Sequence, residues 1–323
     1  MVDYYMEKKR NDGIDILKFF AVILILNSHF DTIYVPPFDK IATGGTIGDA
    51  LFFLCSGFTM LLGRESNFFN FYKKRIYRIY PSVFAWAIIG VILFKRDDSL
   101  MTLVQGGWFV NCIMIYYVPI FFIRRYCPNR VRTCIGGYTV LFVCVYILWN
   151  RPEDFNLLKD PWMKWWFLFF VMLLGAYLGK SCQELKTQKT DFLFFALSVI
   201  CFYLFHYAKK YYMDIQVLSI PSLMGICYYG YRICSHTRIV NCYNNHKAVK
   251  WVVRFIGGLC LEIYLINLTL ISDKMNSLFP LNVLIILTEI IVIAYVVRCL
   301  SKFLIQTFSK EDYRWKEIFQ LII

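Results

Sequence analysis

The amino-acid sequence predicts an all-α fold, a polytopic transmembrane bundle of about ten helices. Of the 323 residues, 59% are hydrophobic and 19% are aromatic, and the mean hydropathy is +0.52. These values lie outside the composition of ordinary soluble domains. In addition, apolar windows of about 20 residues, the length that crosses a bilayer, recur along the chain with short polar loops between them. We therefore expect a single membrane-embedded domain over residues 1–323.

Ten apolar windows define the expected spans, and the first should be retained as a helix because no small-residue cleavage site follows it. Pro221 and Gly225 interrupt the eighth window, which makes its helix the least regular of the set. The windows cover residues 14–35, 46–63, 79–94, 104–123, 133–149, 164–180, 191–208, 213–231, 252–271 and 281–305. An even number of spans places both ends of the chain on the same side of the membrane.

Positive charge marks one side of the membrane. The formal net charge is +13, but the basic residues form short clusters between apolar windows, so they indicate topology rather than nucleic-acid binding. The clusters are Lys8, Lys9 and Arg10; Lys73, Lys74, Arg75 and Arg78; Arg124, Arg125, Arg130 and Arg132; Arg232, Arg238, Lys247 and Lys250; and Lys302, Lys310, Arg314 and Lys316. The alternate loops, 95–98, 151–160 and 273–274, are neutral or mixed. Both termini are therefore expected to be cytoplasmic, in a multi-pass protein of the cell (inner or plasma) membrane.

Several kinds of chemistry are not expected from this sequence. The 12 Cys residues are scattered mostly through apolar segments, with no C-x-x-C pair and no Cys/His spacing typical of a metal site. They are expected to be reduced core residues, and no metal is predicted. Neither a G-x-S-x-G elbow nor a Gly-rich nucleotide loop is present.

The first window contains one His and one Lys, at positions 29 and 18. An ionisable side chain at bilayer depth costs a few kcal/mol and is by default a functional hypothesis. Eleven positions separate His29 from Lys18, about three helical turns, so both side chains should point the same way about 16 Å apart. A surface cation and a membrane imidazole at that spacing suit the two ends of a long ligand such as acyl-CoA. The alternative is an interhelical hydrogen bond at His29 and a snorkelling Lys18.

A second candidate site lies in the basic run FNFYKKRIYRIYP, residues 69–81. Arg75 and Arg78 are three positions apart, so they share a face if the segment is helical. Each guanidinium presents a fork of donors that matches phosphate oxygens. The alternative is an ordinary topology cluster that contacts anionic lipid headgroups.

Five stretches, in this order, resemble the successive blocks of the acyltransferase 3 family. They are GIDILKFFAVILILNSHF at 13–30, GDALFFLCSGF at 48–58, FYKKRIYRIYP at 71–81, GGWFVNCIMIYYV at 106–118 and GGLCLEIYLIN at 257–267. Members of this family are integral membrane O-acyltransferases that modify bacterial surface polysaccharides and related acceptors. The resemblance implies transfer of an acyl group, most simply acetyl from acetyl-CoA, to a sugar hydroxyl of a surface glycan or its lipid-linked precursor.

The resemblance also implies roles for individual residues. The essential His of the family falls on His29, which would act as a general base on the acceptor hydroxyl or would itself carry the acyl group. The basic residue eleven positions earlier is usually Arg in the family and is Lys18 here. The R-x-x-R-x-x-P pattern is intact as Arg75, Arg78 and Pro81. Lys18, Arg75 and Arg78 are therefore expected to hold the phosphates of acetyl-CoA.

Three further residues are expected to contact the substrate. Trp108 and Asn111 lie in the fourth-window block of the resemblance, although an aromatic belt at the membrane interface explains Trp108 almost as well. Asn267 stands where the family often has His, so it can form hydrogen bonds but cannot titrate. Glu262, an acid within an apolar window, is expected to be structural and to pair with Arg254, two turns earlier.

Proteins of other classes can also have about ten spans. A secondary transporter or polysaccharide flippase would need more polar residues along several helices than this chain has. A membrane glycan polymerase would need a large outer loop, and the outer loops here are short. As the resemblance implies, the expected partners are a glycan or lipid-linked sugar acceptor and the membrane lipid.

Overall fold

The computed structural model describes residues 10–62, 67–94, 106–149, 155–181, 187–309 and 311–320. Over these ranges the chain is helical and contains no β-strand. The predicted all-α class is therefore confirmed. Of the residues used to predict topology, Lys8, Lys9, Lys310 and the segments 95–98 and 151–154 lie outside the described ranges.

The described part of the chain forms thirteen α-helices, numbered here in chain order. They are α1 (Asp12–Ser28), α2 (Gly45–Phe58), α3 (Phe68–Phe94), α4 (Gly107–Tyr126), α5 (Val131–Leu148), α6 (Pro161–Ser181), α7 (Thr190–Ala208), α8 (Ser219–Cys234), α9 (Thr237–Asn245), α10 (Lys247–Gly258), α11 (Cys260–Leu270), α12 (Leu281–Thr307) and α13 (Trp315–Phe319). Short 3-10 helices follow α1, precede α2 and α8, and connect α11 to α12.

Seven helical segments of the described chain are long and apolar enough to cross a membrane. They are Phe38–Phe58, which includes α2, together with α3, α4, α5, α6, α7 and α12. Helices α10 and α11 make an eighth if the pair, bent by 69°, counts as one span. Helices α1 and α8 have 17 and 16 residues and fall just short of that length. A polytopic bundle is thus present, whereas the count of ten spans stays a prediction.

The first predicted window, 14–35, is longer than the helix that forms. Helix α1 ends at Ser28, because local hydrogen bonds fix a turn there. The Asn27 side chain donates to the backbone oxygens of Ile41 and Thr43, at 2.7 and 3.0 Å, which ties the end of α1 to the segment before α2. His29 therefore lies in the turn beyond the helix, not within a membrane-crossing helix as predicted.

Helices α2 and α6 approach closely because both present glycine at the crossing. A Cβ atom on Gly57 would overlap the carbonyl oxygen of Met172, and one on Gly175 would overlap that of Leu54. Small residues allow backbones to meet in this way in membrane bundles. Helix α1 packs against α2 and also contacts α8, α10 and α11.

The break between α10 and α11 sets the orientation of the last part of the core. It follows Gly257 and Gly258, and Leu259 joins the two helices. Gly257 faces the backbone of α1, where a Cβ would lie 3.5 Å from the oxygen of Asp15. Because the two helices diverge by 69°, α10 lies against the start of α1 while α11 turns inward toward α3 and α12.

Replacing Gly175 by Ala should destabilise the bundle by about 1–3 kcal/mol, since the added methyl group must separate two helix backbones. Gly136 on α5 is the matched control, because no atom lies within 4 Å of a Cβ built there. Gly136→Ala should keep or slightly raise stability, since Ala is the better helix former. Melting temperatures of the two variants in detergent provide the comparison, and equal values for both would contradict the close crossing.

Candidate functional site

Two cavities lie at opposite ends of the bundle. The end at which α1 begins and α2 ends is called the basic end, and its cavity of about 150 Å³ is called the basic cavity. Its lining includes Lys18, Arg78, Glu262 and Arg298. The cavity at the opposite end has a volume of about 660 Å³ and is called the histidine cavity, because His29 lines it.

The basic cavity gathers cations from three helices. Lys18 projects from α1, Arg78 from α3 and Arg298 from α12, and the acid that lines the same cavity is Glu262. Glu262 Oε1 lies 3.1 Å from Arg298 Nη1. Neither Lys18 nor Arg78 has a carboxylate within ion-pair distance among the described residues. The cavity therefore carries excess positive charge that suits an anionic group.

Arg75 borders the basic cavity without lining it. Its guanidinium carbon lies 4.9 Å from the ring centroid of Phe71 and 5.4 Å from that of Tyr117, and Tyr117 lines the cavity. The buried Nε atom of Arg75 has no hydrogen-bond partner among the residues described. Lys18 and Arg78 therefore line one cavity, and Arg75 packs against Tyr117, a residue that lines the same cavity.

The predicted pairing of Glu262 with Arg254 is wrong. Arg254 lies on α10 and pairs instead with Asp12 and Asp15 of α1, at 3.5 and 3.6 Å. Glu262 lies beyond the break on α11, where Ser82 Oγ donates to Oε1 at 2.6 Å. The sequence argument assumed one continuous helix, and the 69° bend removes that shared face.

The histidine cavity contains a buried ion pair that sequence reasoning missed. Lys164 Nζ lies 2.8 Å from Asp49 Oδ2 and 3.8 Å from the ring centroid of Trp108, and all three residues line the cavity with His29. Asp49 is the only acidic or basic residue in the predicted window 46–63, whereas Lys164 and Lys180 lie at the two ends of the window 164–180. The criterion that singled out His29 therefore applies to Asp49 but not to Lys164.

The imidazole of His29 is half-buried, and its side chain forms no hydrogen bond or ion pair within the described part of the chain. Burial lowers the pKa of His29 below its ordinary value of 6.5. The negative charges of Asp49 and Asp31 oppose this shift, and the positive charge of Lys164 adds to it. Because burial is the largest effect, the imidazole is unprotonated near neutral pH, the form that can accept a proton or attack an electrophile.

A layer of aromatic rings separates the two cavities. Phe52 and Phe109 line the basic cavity, whereas Trp108 and Tyr264 line the histidine cavity. The ring centroids of Phe52 and Phe109 are 4.7 Å apart, and those of Phe109 and Tyr264 are also 4.7 Å apart. Each cavity therefore ends on one side of the same group of packed rings.

The three residues expected to contact the substrate lie in different places. Trp108 lines the histidine cavity. Asn111 is half-buried and lines neither of the two cavities. Asn267 is 1% exposed, and its Oδ1 accepts the backbone N–H of Leu268 at 2.6 Å, while its Nδ2 has no partner in the described ranges. Substrate contact by the two Asn residues stays a prediction.

A comparison with protein-family models matches most of this chain. The family model Acyltransferase 3, described as an acyltransferase domain, matches residues 11–300. This range includes every residue named above in either cavity. No curated protein and no solved structure matches the chain.

Proposed function

The chain belongs to the acyltransferase 3 family, whose model matches residues 11–300, and we propose that this membrane acyltransferase acylates a sugar hydroxyl. The donor is acyl-CoA, most simply acetyl-CoA, and the acceptor belongs to a surface glycan or its lipid-linked precursor. The observation that supports this best is the pair of cavities, one cationic and one containing His29, on either side of the aromatic layer. The family match disfavours a transporter or a polymerase, the alternatives that hydropathy alone leaves open.

The basic cavity suits the phosphates of acyl-CoA. Arg78 and Arg75 can each offer a planar fork of donors to phosphate oxygens, and Lys18 adds a point charge. The cavity volume of about 150 Å³ admits only the narrow arm of the donor, so the nucleotide would remain at its mouth. By the positive-inside rule the basic end faces the cytoplasm, with both termini, in the cell membrane. This is the compartment in which acyl-CoA is made.

The thioester and the acceptor would meet beside His29. Acyl-CoA carries its phosphates and its thioester at opposite ends of an extended arm. Lys18 and His29 lie near opposite ends of α1, about 15 Å apart at the rise of an α-helix. For the arm to pass from the basic cavity to the histidine cavity, the rings of Phe52, Phe109 and Tyr264 would have to move apart. The acceptor hydroxyl would enter the histidine cavity from the other side of the membrane.

The transfer can use His29 in either of two ways. As a general base, its free imidazole nitrogen takes the proton of the hydroxyl while the oxygen attacks the thioester carbonyl. The C–S bond then breaks, and the CoA thiolate leaves and takes up the proton. As an acyl carrier, the same nitrogen attacks the thioester first, the C–S bond breaks and the CoA thiolate leaves. The hydroxyl oxygen then displaces the imidazole from the acyl group, and the hydroxyl proton passes to the thiolate. Both routes yield one ester and one CoA thiol, and both require an unprotonated His29.

Replacing His29 by Ala should abolish acyl transfer while the protein stays folded, because the imidazole makes no side-chain hydrogen bond to another described residue. His246→Ala is the matched control, since His246 is exposed in the loop between α9 and α10. The measurement is incorporation of labelled acetyl from acetyl-CoA into the surface glycan of cells that express each variant. Full incorporation in the cells that express His29→Ala would show that His29 has no part in the reaction.

Acyl transfer should be independent of pH above the ordinary imidazole value of 6.5 and should decline only at lower pH. A lowered pKa keeps the imidazole of His29 unprotonated until the pH of the solution falls below 6.5. Activity is therefore expected to be lost only on the acidic side of that value. The double variant Asp49→Asn with Lys164→Met removes the ion pair without leaving one charge alone. Since Asp49 raises the pKa of His29 more than Lys164 lowers it, the decline should move to lower pH. A decline that begins well above 6.5 in the wild type, or one that the double variant moves upward, would contradict this assignment.

Replacing Arg78 by Gln or Lys18 by Met should raise the KM for acetyl-CoA about tenfold or more, since each loses a hydrogen bond to a charged group. A short acetyl thioester without the nucleotide should be used equally well by the wild type and both variants. Lys18→Arg should keep donor binding. The control is Lys73→Gln, which removes an exposed charge from the same helix as Arg78 outside the basic cavity. Equal effects on the KM for acetyl-CoA and on the KM for the short thioester would show that these cations serve folding or topology.

A further inference from the structure

A second group of cations lies at the edge of the histidine cavity. Lys159 precedes α6, while His206, Lys209 and Lys210 lie at the end of α7. Lys159 and His206 both line the cavity that contains His29. The pKa of Lys209 is lowered by burial and further by the positive charges of Lys159 and Lys210. Lys209 caps the helix that contains His206, with helical backbone angles, and three positions separate the two residues, so both side chains lie on the same side of the helix end.

These cations have no counter-ion in the part of the chain that the structure describes. No carboxylate there lies within ion-pair distance of Lys159, Lys209 or Lys210. In addition, the buried Nδ1 atom of His206 has no hydrogen-bond partner in the same ranges. Cations without a counter-ion at the edge of a cavity form a site that an anion would stabilise.

The described acids in or beside this cavity form no ion pair with the cluster. The carboxylate of Asp49 pairs with Lys164, and Asp31 Oδ1 accepts the backbone N–H of Thr32 at 3.0 Å. Nearby, Asp160 Oδ1 accepts the N–H of Met163 at 2.8 Å. The cluster lies at the end opposite the basic end, so the positive-inside rule does not account for it.

We propose that the histidine cavity recognises a phosphate group on the acceptor, bound by Lys159, His206 and Lys209 while the acceptor hydroxyl reaches His29. Lysine ammonium groups bind phosphate as point charges, and the imidazole of His206 lines the same cavity as Lys159. This inference rests on the proposed function, because it identifies the chemical class of its acceptor. The phosphate can be part of a soluble or polymeric sugar phosphate, or it can link the sugar to a lipid carrier.

The test measures binding of three probes to the purified protein in phosphatidylcholine nanodiscs, in the absence of any acyl donor. The probes are glucose 1-phosphate, a short-chain polyprenyl phosphate glucose, and the neutral methyl glucoside. The variant Lys159→Gln with Lys209→Gln removes two charges from the cluster, and neither Lys forms an ion pair with a described residue. Its matched control, Lys40→Gln with Lys274→Gln, removes two exposed charges from the same end of the protein outside the cavity.

At least one phosphorylated probe should bind the wild type and the control about tenfold or more tightly than it binds the Lys159/Lys209 variant. Methyl glucoside should show no difference between them. Binding of glucose 1-phosphate assigns the phosphate to the sugar, and binding of the polyprenyl probe alone assigns it to a lipid carrier. Equal affinity of the cluster variant and the control for both phosphorylated probes would overturn the proposal. Because no donor is present, this result is independent of the His29→Ala experiment that tests acyl transfer.

Discussion

The cost of placing charge inside an apolar bundle is the constraint on which the rest of this structure depends. Removing one partner of an ion pair in such surroundings destabilises the folded protein by several kcal/mol, because the other charge stays buried and unpaired. Charges inside the bundle are therefore normally paired. The described helices follow this rule where charge is structural. Glu262 pairs with Arg298, Asp49 with Lys164, and Asp191 with Arg232 at 3.0 Å.

The two cavities contain ionisable groups that lack such a partner. Among the described residues, Lys18 and Arg78 line the basic cavity without a carboxylate partner, and His29 lines the opposite cavity without a side-chain hydrogen bond. In the proposed reaction these groups are completed by ligands: the cations by the phosphates of the donor, and the imidazole by the acceptor hydroxyl. The paired charges stabilise the packing of the helices, and in the proposed reaction the incompletely paired groups bind the substrates. The close approach of α2 to α6 fixes Asp49 and Lys164 relative to each other.

The sequence predicted the parts of the site that depend on composition and short-range spacing. The single His and single Lys of the first apolar window identified His29 and Lys18, and the three-residue spacing of Arg75 and Arg78 placed both near one cavity. The position of His29 inside the first helix was wrong, because the side-chain bonds of Asn27 end α1 early. The partner of Glu262 was wrong, because a periodicity argument cannot detect the bend after Gly258. Which helices face each other is a tertiary property, so the Asp49–Lys164 pair and the aromatic layer could not be read from spacing alone.

The most direct test of the two-cavity account is a cryo-electron microscopy structure with an acetyl-CoA analogue whose thioester is replaced by an unreactive thioether. The account predicts phosphate density at the mouth of the basic cavity beside Lys18 and Arg78. The acyl end should then pass between the rings of Phe52, Phe109 and Tyr264 toward His29. Donor phosphates bound at the histidine cavity, or a donor held entirely on the basic side of an unaltered ring layer, would contradict it.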